Sequence, residues 1–314
     1  MSARIAITGA NGFVGRQLAT LAAAQGVEVV GVVRSEAAAG AVRRAGGRPV
    51  LVPGLEQEAA LAEAFAGAAA VVHLAQIGAE RGGASYEAVN VAGTRAVAAA
   101  ASRGGVPRVV FLSGLGVARF GMARRCTNGY FLSKLAAEVE LYRSGLEVAV
   151  FRPSYVVGPG DAILPRVLGE MARGEVELPG DGSYRMQPVA VRDAAAAILE
   201  AALGSARQPW RVFDLVGPEP LAFRRLLERV ALRVRARGGP AAFRLREAPL
   251  EDADRQAAEG GYRGMLPDEL DCLVCDEVGD HRPLEALLGR FLTPLDEALD
   301  LALRAALPAG GGPQ

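Results

Sequence analysis

Stretches that are apolar on both faces alternate, through the first half of the chain, with segments of helical length. Arg4–Thr8, Glu28–Val33, Arg48–Val52, Ala70–Leu74, Arg108–Leu112 and Glu147–Phe151 carry no helical period and read as buried strands. Helix-length segments lie between them near 13–24, 35–45, 56–66, 85–103 and 128–144. A strand without a polar face must be covered on both sides, and a parallel sheet wound by βαβ crossovers achieves that. The pattern predicts an α/β fold with a doubly wound parallel sheet, whose ligand lies at the carboxyl ends of the strands.

After Arg152 the rhythm breaks. Pro153, Pro159, Pro165, Pro179 and Pro188 interrupt the elements, and only Arg192–Leu203 and Ala222–Arg237 read as long helices. Val212–Val216 reads as one more strand returning to the sheet. The expected organisation is a core over 1–152, with 187–217 returning to it. A smaller C-terminal region, 153–314, covers substrate or meets a partner and ends in a disordered Gly/Pro tail, 308–314.

Composition narrows the function classes. The chain has 35 basic and 35 acidic residues, so no long-range field draws in a phosphate backbone, and a nucleic-acid binder is not expected. His73 and His281 are the two histidines, too few and too far apart for a histidine-rich metal site. Three cysteines, no leader-like start and no long uncharged apolar run point to a cytoplasmic protein without a membrane span. Of the basic residues, 34 are arginine and one is lysine, Lys134. The arginine excess reads as a composition bias, which makes the lysine conspicuous.

Between the first strand and the first helix runs Thr8-Gly9-Ala10-Asn11-Gly12-Phe13-Val14-Gly15, three glycines at three-residue spacing. A pyrophosphate can approach the free N–H groups of a helix amino end only where no Cβ blocks the backbone. At this junction the spacing reads as a dinucleotide cradle. The second strand ends Val33-Arg34-Ser35, without a carboxylate to hold ribose hydroxyls. Arg34 can clamp a 2′-phosphate and Ser35 can donate to it, so NADP(H) is preferred, with NAD possible.

Tyr130 and Lys134 stand four residues apart on a helix, hence on one face. A phenol with a pKa near ~10 is a poor acid–base group at neutral pH, and a neighbouring ammonium lowers it. Taken with the glycine turn, the pair resembles the short-chain dehydrogenase/reductases of the extended or atypical branch, the epimerase/dehydratase superfamily. Val71-Val-His-Leu-Ala75, Asn90-Val-Ala-Gly-Thr94, Phe111-Leu-Ser113, Arg152-Pro-Ser-Tyr-Val-Val-Gly-Pro-Gly160 and Gln187-Pro-Val-Ala-Val-Arg-Asp193 extend the resemblance in order. Val176-Glu-Leu-Pro-Gly-Asp-Gly182, Phe213-Asp-Leu-Val-Gly-Pro218 and Thr293-Pro-Leu-Asp-Glu-Ala298 are most similar to the group around the NADPH-binding accessory subunit of respiratory complex I.

The resemblance implies a Rossmann-type sheet with a smaller C-terminal substrate-covering region. It implies Tyr130 as general acid/base, Lys134 as its modulator and ribose ligand, and Asn90 in a water relay. Ser113 is the carbonyl-binding hydroxyl or, since Gly114 occupies the slot usually hydroxylated, that bond is missing. The cofactor lines up with Gly9, Asn11, Gly12, Phe13, Val14, Gly15, Arg34, Ser35, Leu55, Leu74, Ala75, Lys134, Pro153 and Tyr155. Relatives often carry an aspartate near Pro53-Gly54-Leu55 and a histidine at Ala190.

Two further features have plainer readings. Cys272 and Cys275 have redox or zinc spacing but no second pair, and read as small buried residues; Cys126 precedes Tyr130 by one turn. His73, on the fourth strand near the cofactor, reads as structural. The segment 223–237 is a basic amphipathic helix that either packs one face or docks on a peripheral partner or anionic membrane. The expected function is an NADP(H)-dependent oxidoreductase acting on a carbonyl or alcohol of unspecified identity. The alternatives are a non-turnover NADPH-binding protein and a nucleotide-sugar epimerase or dehydratase holding NAD.

Overall fold

The computed structural model describes residues 3–205, 208–239 and 243–307; the tail 308–314 lies outside them. Seven parallel strands form the central sheet: β1 (Arg4–Thr8), β2 (Glu28–Val33), β3 (Arg48–Leu51), β4 (Ala70–His73), β5 (Arg108–Leu112), β6 (Glu147–Pro153) and β7 (Trp210–Leu215). Their order is β7-β6-β5-β4-β1-β2-β3, so the winding reverses between β1 and β4. A crevice opens at such a reversal, outside the carboxyl ends of the strands.

Period-two alternation assigns the two faces. Ile5 and Ile7 point to one side of β1 and Ala6 to the other, all fully buried. On the first side helices α1 (Phe13–Ala24) and α7 (Val191–Leu203) pack through Leu18, Ala19, Ala22, Ala195 and Ile198. On the second lie α3 (Glu58–Phe65), α4 (Gly93–Arg103) and α5 (Gly129–Arg143), through Leu61, Phe65, Val97, Ala101, Ala137 and Leu141. Alanine at these contacts lets helices approach closely; truncating a filled position such as Phe65 to alanine costs about 3–5 kcal/mol. The short helix α2 (Glu36–Arg44) begins at Ser35, whose hydroxyl accepts from the Ala38 amide at 3.4 Å.

Beyond β6 a separate apolar cluster forms. Helices α6 (Ile163–Ala172), α8 (Phe223–Ala236) and α12 (Leu295–Ala306) enclose Leu164, Leu178, Leu226, Leu227, Leu299 and Leu303. Strand 175–179 pairs in parallel with 244–248, and α9 (Leu250–Glu259), α10 (Pro267–Val274) and α11 (Arg282–Leu288) complete the region. Here the structure departs from the sequence expectation. Pro165 was read as a breaker, yet it sits in the first turn of α6, where its missing N–H interrupts no helical bond. Helix α12 was not expected at all, although Leu295, Ala298, Leu299, Ala302 and Leu303 follow helical spacing.

The basic helix α8 packs rather than docks. Phe223, Leu226, Leu227, Val230 and Val234 are buried in the C-terminal cluster. Its arginines face carboxylates: Arg224 with Glu247, Arg229 with Glu219 at 2.5 Å, Arg233 with Asp296 at 2.8 Å, and Arg237 with Asp300 at 2.9 Å. The apolar face of α8 is thus spent on packing within the protein, while Leu232 remains exposed on its outer side. No helix among the described residues is long and apolar enough to cross a membrane.

Candidate active site

The glycine turn is shaped by contact. Gly9 has φ +70°, and a Cβ there would stand 2.7 Å from the Ala75 amide nitrogen and 2.9 Å from the Leu74 carbonyl carbon. The turn therefore sits hard against the end of β4, at the sheet reversal. At Gly15 a Cβ would strike the Gly9 carbonyl oxygen at 2.5 Å, so this glycine packs helix against turn rather than helix against strand. Gly12 caps α1 without a side chain, leaving the amide groups of Phe13, Val14 and Gly15 to face outward at the helix amino end. A cradle with those amides and no side chain over them fits a pyrophosphate. Arg34 is exposed immediately after β2, with Ser35 beside it. Glu36 pairs with Arg43 at 3.6 Å. Leu55 lies against Gly93, where a Cβ would meet its Cδ1 at 2.8 Å. Thr8 Oγ1 accepts from the Ala75 amide at 3.4 Å and meets His73 Nδ1 at 2.6 Å. His73, fully buried with Thr94 on its other nitrogen at 3.0 Å, is pushed down to about 3 by burial and stays neutral, a structural group.

Helix α5 presents the candidate chemistry. Asn128 caps it by accepting from the Phe131 amide at 2.9 Å, and Asp268 of α10 accepts from the Tyr130 amide at 3.2 Å. Two partners thus fix the first turn, and with it the Tyr130 side chain. The Tyr130 hydroxyl meets Gln76 Oε1 at 3.3 Å. One turn on, Lys134 is buried, with Nζ 4.2 Å from the Phe111 ring centroid. Burial pushes the ammonium down to about 7, partly opposed by Glu138. The expectation that Lys134 depresses the Tyr130 pKa is not met within the protein. Burial holds the phenol above its ordinary value, reinforced by Cys272 and Glu277. The shared helix face did bring the pair together, but the lysine turns to Phe111 while the phenol turns to Gln76.

Asn90 and Ser113 are already engaged. Asn90 accepts from the Ile77 amide at 2.9 Å and donates to Ile77 O and Ser133 Oγ, each at 3.0 Å. Both amide protons are used, so Asn90 ties the loop after β4 to α5, and only a remaining lone pair is left for a relay. It lies in a π-helical turn, Glu87–Ala92, that leads into α4. Ser113 donates to Glu138 at 2.6 Å, and Glu138 also takes Arg152 at 2.6 Å, forming a buried network behind the site. Ser113 thus serves that network, while Gly114 faces the cavity.

That cavity, about 450 Å³, is lined by Gly114, Tyr130, Pro153 and Tyr155 on the sheet side and by side chains of the covering region. It joins the phenol to the loop expected beside the nicotinamide. The Tyr155 hydroxyl donates to Asp161 at 3.0 Å, which makes Tyr155 a wall. Sequence reasoning missed Gln76, Asp268, Glu170, Arg263 and Glu277, all brought here by the fold. One signal was present: Gly260-Gly261-Tyr262-Arg263-Gly264 is a glycine-rich turn, and Arg263 at φ +53° is the non-glycine residue with positive φ among the described residues. Cys126 and Cys275 pack with Phe131 and Val117, and Cys272 lines the cavity. Burial raises all three thiols, so they are inert, and no metal-binding cluster occurs among the described residues.

Comparison with known proteins gives a consistent picture. Residues 5–214 match the family described as NAD dependent epimerase/dehydratase. Over 215 residues, 63% of the chain, it is 30% identical to a 4-hydroxy-2-methyl-3-oxo-4-farnesyl-3,4-dihydroquinoline-1-oxide ketoreductase of Stigmatella aurantiaca, spanning 64% of that protein's length. It is 28% identical over 254 residues to a 2-alkyl-3-oxoalkanoate reductase of Stenotrophomonas maltophilia, covering 74% of this chain and 76% of that one. A 130-residue stretch is 30% identical to subunit 9 of the NADH dehydrogenase alpha subcomplex of Arabidopsis thaliana mitochondria, 41% of this chain and 31% of that one. A UDP-glucuronic acid 4-epimerase from Bacillus cereus, in complex with UDP-glucuronic acid and NAD, shares the fold. Its TM-score is 0.73 at 16% identity, over 96% of this chain and 98% of that one.

Proposed function

The chain belongs to the NAD-dependent epimerase/dehydratase family, and from that premise we propose that it is an NADP(H)-dependent reductase of a ketone. The observation that carries this reading is the placement of Tyr130 in one cavity with Pro153 and Tyr155, at the strand ends that also carry the glycine turn. Gly9, Gly12, Gly15 and the first amides of α1 would hold the pyrophosphate of a dinucleotide, Leu55 its adenine, Leu74, Ala75, Pro153 and Tyr155 its nicotinamide end, and Lys134 the nicotinamide ribose. Arg34 and Ser35 receive a 2′-phosphate, which favours NADPH over NADH.

A nicotinamide bound there supplies hydride to the carbonyl carbon. The Tyr130 hydroxyl donates its proton to the carbonyl oxygen, giving the alcohol and a phenolate. The phenolate then regains its proton from solvent, and the Lys134 ammonium, pushed down to about 7 by burial, is the charged group one helical turn away. Asp268 and Asn128 keep the first turn of α5 from drifting, so the phenol meets the carbonyl at a fixed angle. The two curated reductases, named for 3-oxo substrates, support the direction of the reaction.

Tyr130→Phe tests the assignment. NADPH oxidation with ketone substrates should fall by about 10²- to 10⁴-fold while NADPH affinity is retained. Equal turnover in the variant would remove Tyr130 from the mechanism. Arg34→Asp should shift preference from NADPH to NADH; an unchanged ratio rules out the phosphate clamp. A second reading, a binding protein without turnover, is favoured by the commitment of Ser113 to Glu138 and by Gly114 in the hydroxyl slot. NADPH binding with no oxidation of any ketone would select it.

A further inference from the structure

The walls of the cavity beside Tyr130 say what kind of ketone enters. They include Ile163 and Val167 of α6, Val176 of strand 175–179, Met186 of the short strand 185–186, Phe223 at the start of α8, and Met265 in the turn before α10. The volume, about 450 Å³, falls within the size of small-molecule sites. The charged groups in the wall are matched to one another. Arg263 pairs with Glu170 and donates to the Glu177 carbonyl at 2.5 Å. Arg166 donates to the Arg263 carbonyl at 2.9 Å and stands 3.7 Å from Glu170. Glu269 is held by Arg81, and Glu177 by Arg246. Both cavity arginines are thus engaged with the protein's own carboxylates and carbonyls, which leaves neither as an unneutralised cation.

A nucleoside diphosphate needs the opposite arrangement, unneutralised cations and N–H donors facing its phosphates. Glu277, the cavity carboxyl without an arginine salt bridge among the described residues, is pushed up to about 8 by burial, and as a carboxyl it offers no cation to a phosphate. Resting on the reductase reading above, we propose that this cavity takes the hydrocarbon body of an alkyl ketone, its tail on the apolar walls and its carbonyl at Tyr130, and that it excludes sugar nucleotides.

Calorimetric titration tests this with the full chain, in the presence and absence of NADP+, which cannot supply hydride. The probes are unbranched alkan-2-ones of about four to ten carbons and UDP-glucose. Burial of each methylene should tighten binding about two- to fourfold until the cavity is filled, with a negative heat-capacity change. UDP-glucose should bind more weakly than the longest ketone. Affinity independent of chain length, no binding of decan-2-one, or tighter binding of UDP-glucose would overturn the assignment. Ile163→Glu and Met265→Glu, with folding checked by thermal unfolding, should flatten the length dependence, and an unchanged length dependence would overturn the assignment. NADPH oxidation along the series separates the two claims. Length-dependent binding without oxidation removes the reductase reading and keeps the cavity assignment. Equal kcat/KM for short and long ketones keeps the reductase and overturns the cavity.

Discussion

The cofactor half and the covering region solve the same packing problem with different interactions. Around the sheet, alternate residues of parallel strands meet alanine-rich helices, and the cradle is a matter of backbone path: Gly9 against Ala75, Gly15 against Gly9. The covering region has its own apolar cluster, but arginine–carboxylate pairs join its pieces and latch it to the sheet half. Arg125 spans Asp254 and Asp271, each at 2.7 Å, and Arg81 reaches Glu269. The first mode ties function to a few adjacent residues that tolerate no added atom. The second distributes it over long side chains from distant segments, where single losses are softer. A rigid cofactor cradle and an adjustable substrate wall follow from that difference.

The largest effect that separates the two modes is expected at the cradle. Gly9→Ala forces a Cβ against the end of β4 in a left-handed conformation, and should destabilise the fold by at least about 2 kcal/mol and abolish NADPH binding. Gly26→Ala, with similar φ and nothing within 4 Å of the added Cβ, should cost only about 1 kcal/mol. Equal effects in thermal unfolding would mean that conformation alone, not contact, governs the turn.

Lys134→Met should raise stability while removing activity, because the wild-type chain buries an ammonium. Its pKa is about 7 folded against 10.5 in the reference state. Below pH 7 both states bind the proton, and the burial penalty is fully present. Between 7 and 10.5 the unfolded chain holds a proton that the folded one has released, so stability rises with pH across that window. The gain from Lys134→Met is therefore expected to be largest below pH 7, on the order of a few kcal/mol, and to vanish near pH 10.5. A pH-independent difference in denaturant midpoints would show that Lys134 does not titrate there.

Arg125→Ala should loosen the latch, at a cost of about 1–3 kcal/mol. KM for a ketone should rise with NADPH affinity intact; a parallel loss of both would mean that the two regions do not act separately. The smallest effect is expected at Gly114→Ser. The new Cβ lies 3.2 Å from Phe131 Cε1 and 3.5 Å from Tyr130 Cε1, tight but yielding. It places a hydroxyl beside the phenol, and kcat should rise by up to about tenfold. An unchanged kcat would show that the carbonyl oxygen is already fully bonded without it.

How much of this was legible follows from the physics of each part. The six strands of the first half and the returning strand near 212 stand in the strand runs themselves, because β-rich stretches with no polar face leave the backbone one way to be satisfied. The regions after Arg152 were read less well. Proline was taken as a break at Pro165, where it opens a helix, and the helical spacing of Leu295–Leu303 went unused behind a motif. Tyr130 and Lys134 were visible as a pair, but not the direction of their titration. A spacing of four positions fixes a shared face, whereas the Phe111 ring and the depth of burial fix the charge.

The sequence by itself determined the sheet and the dinucleotide turn, since those depend on neighbouring residues and on how close a backbone can come. Tertiary structure alone decided what faces the Tyr130 hydroxyl. Gln76, which meets it, and Arg263, Glu170 and Glu277, which line the same cavity, are far apart in the sequence and come together only in the folded chain. A side chain's charge state depends on its desolvation and its partners, and neither is written in local sequence.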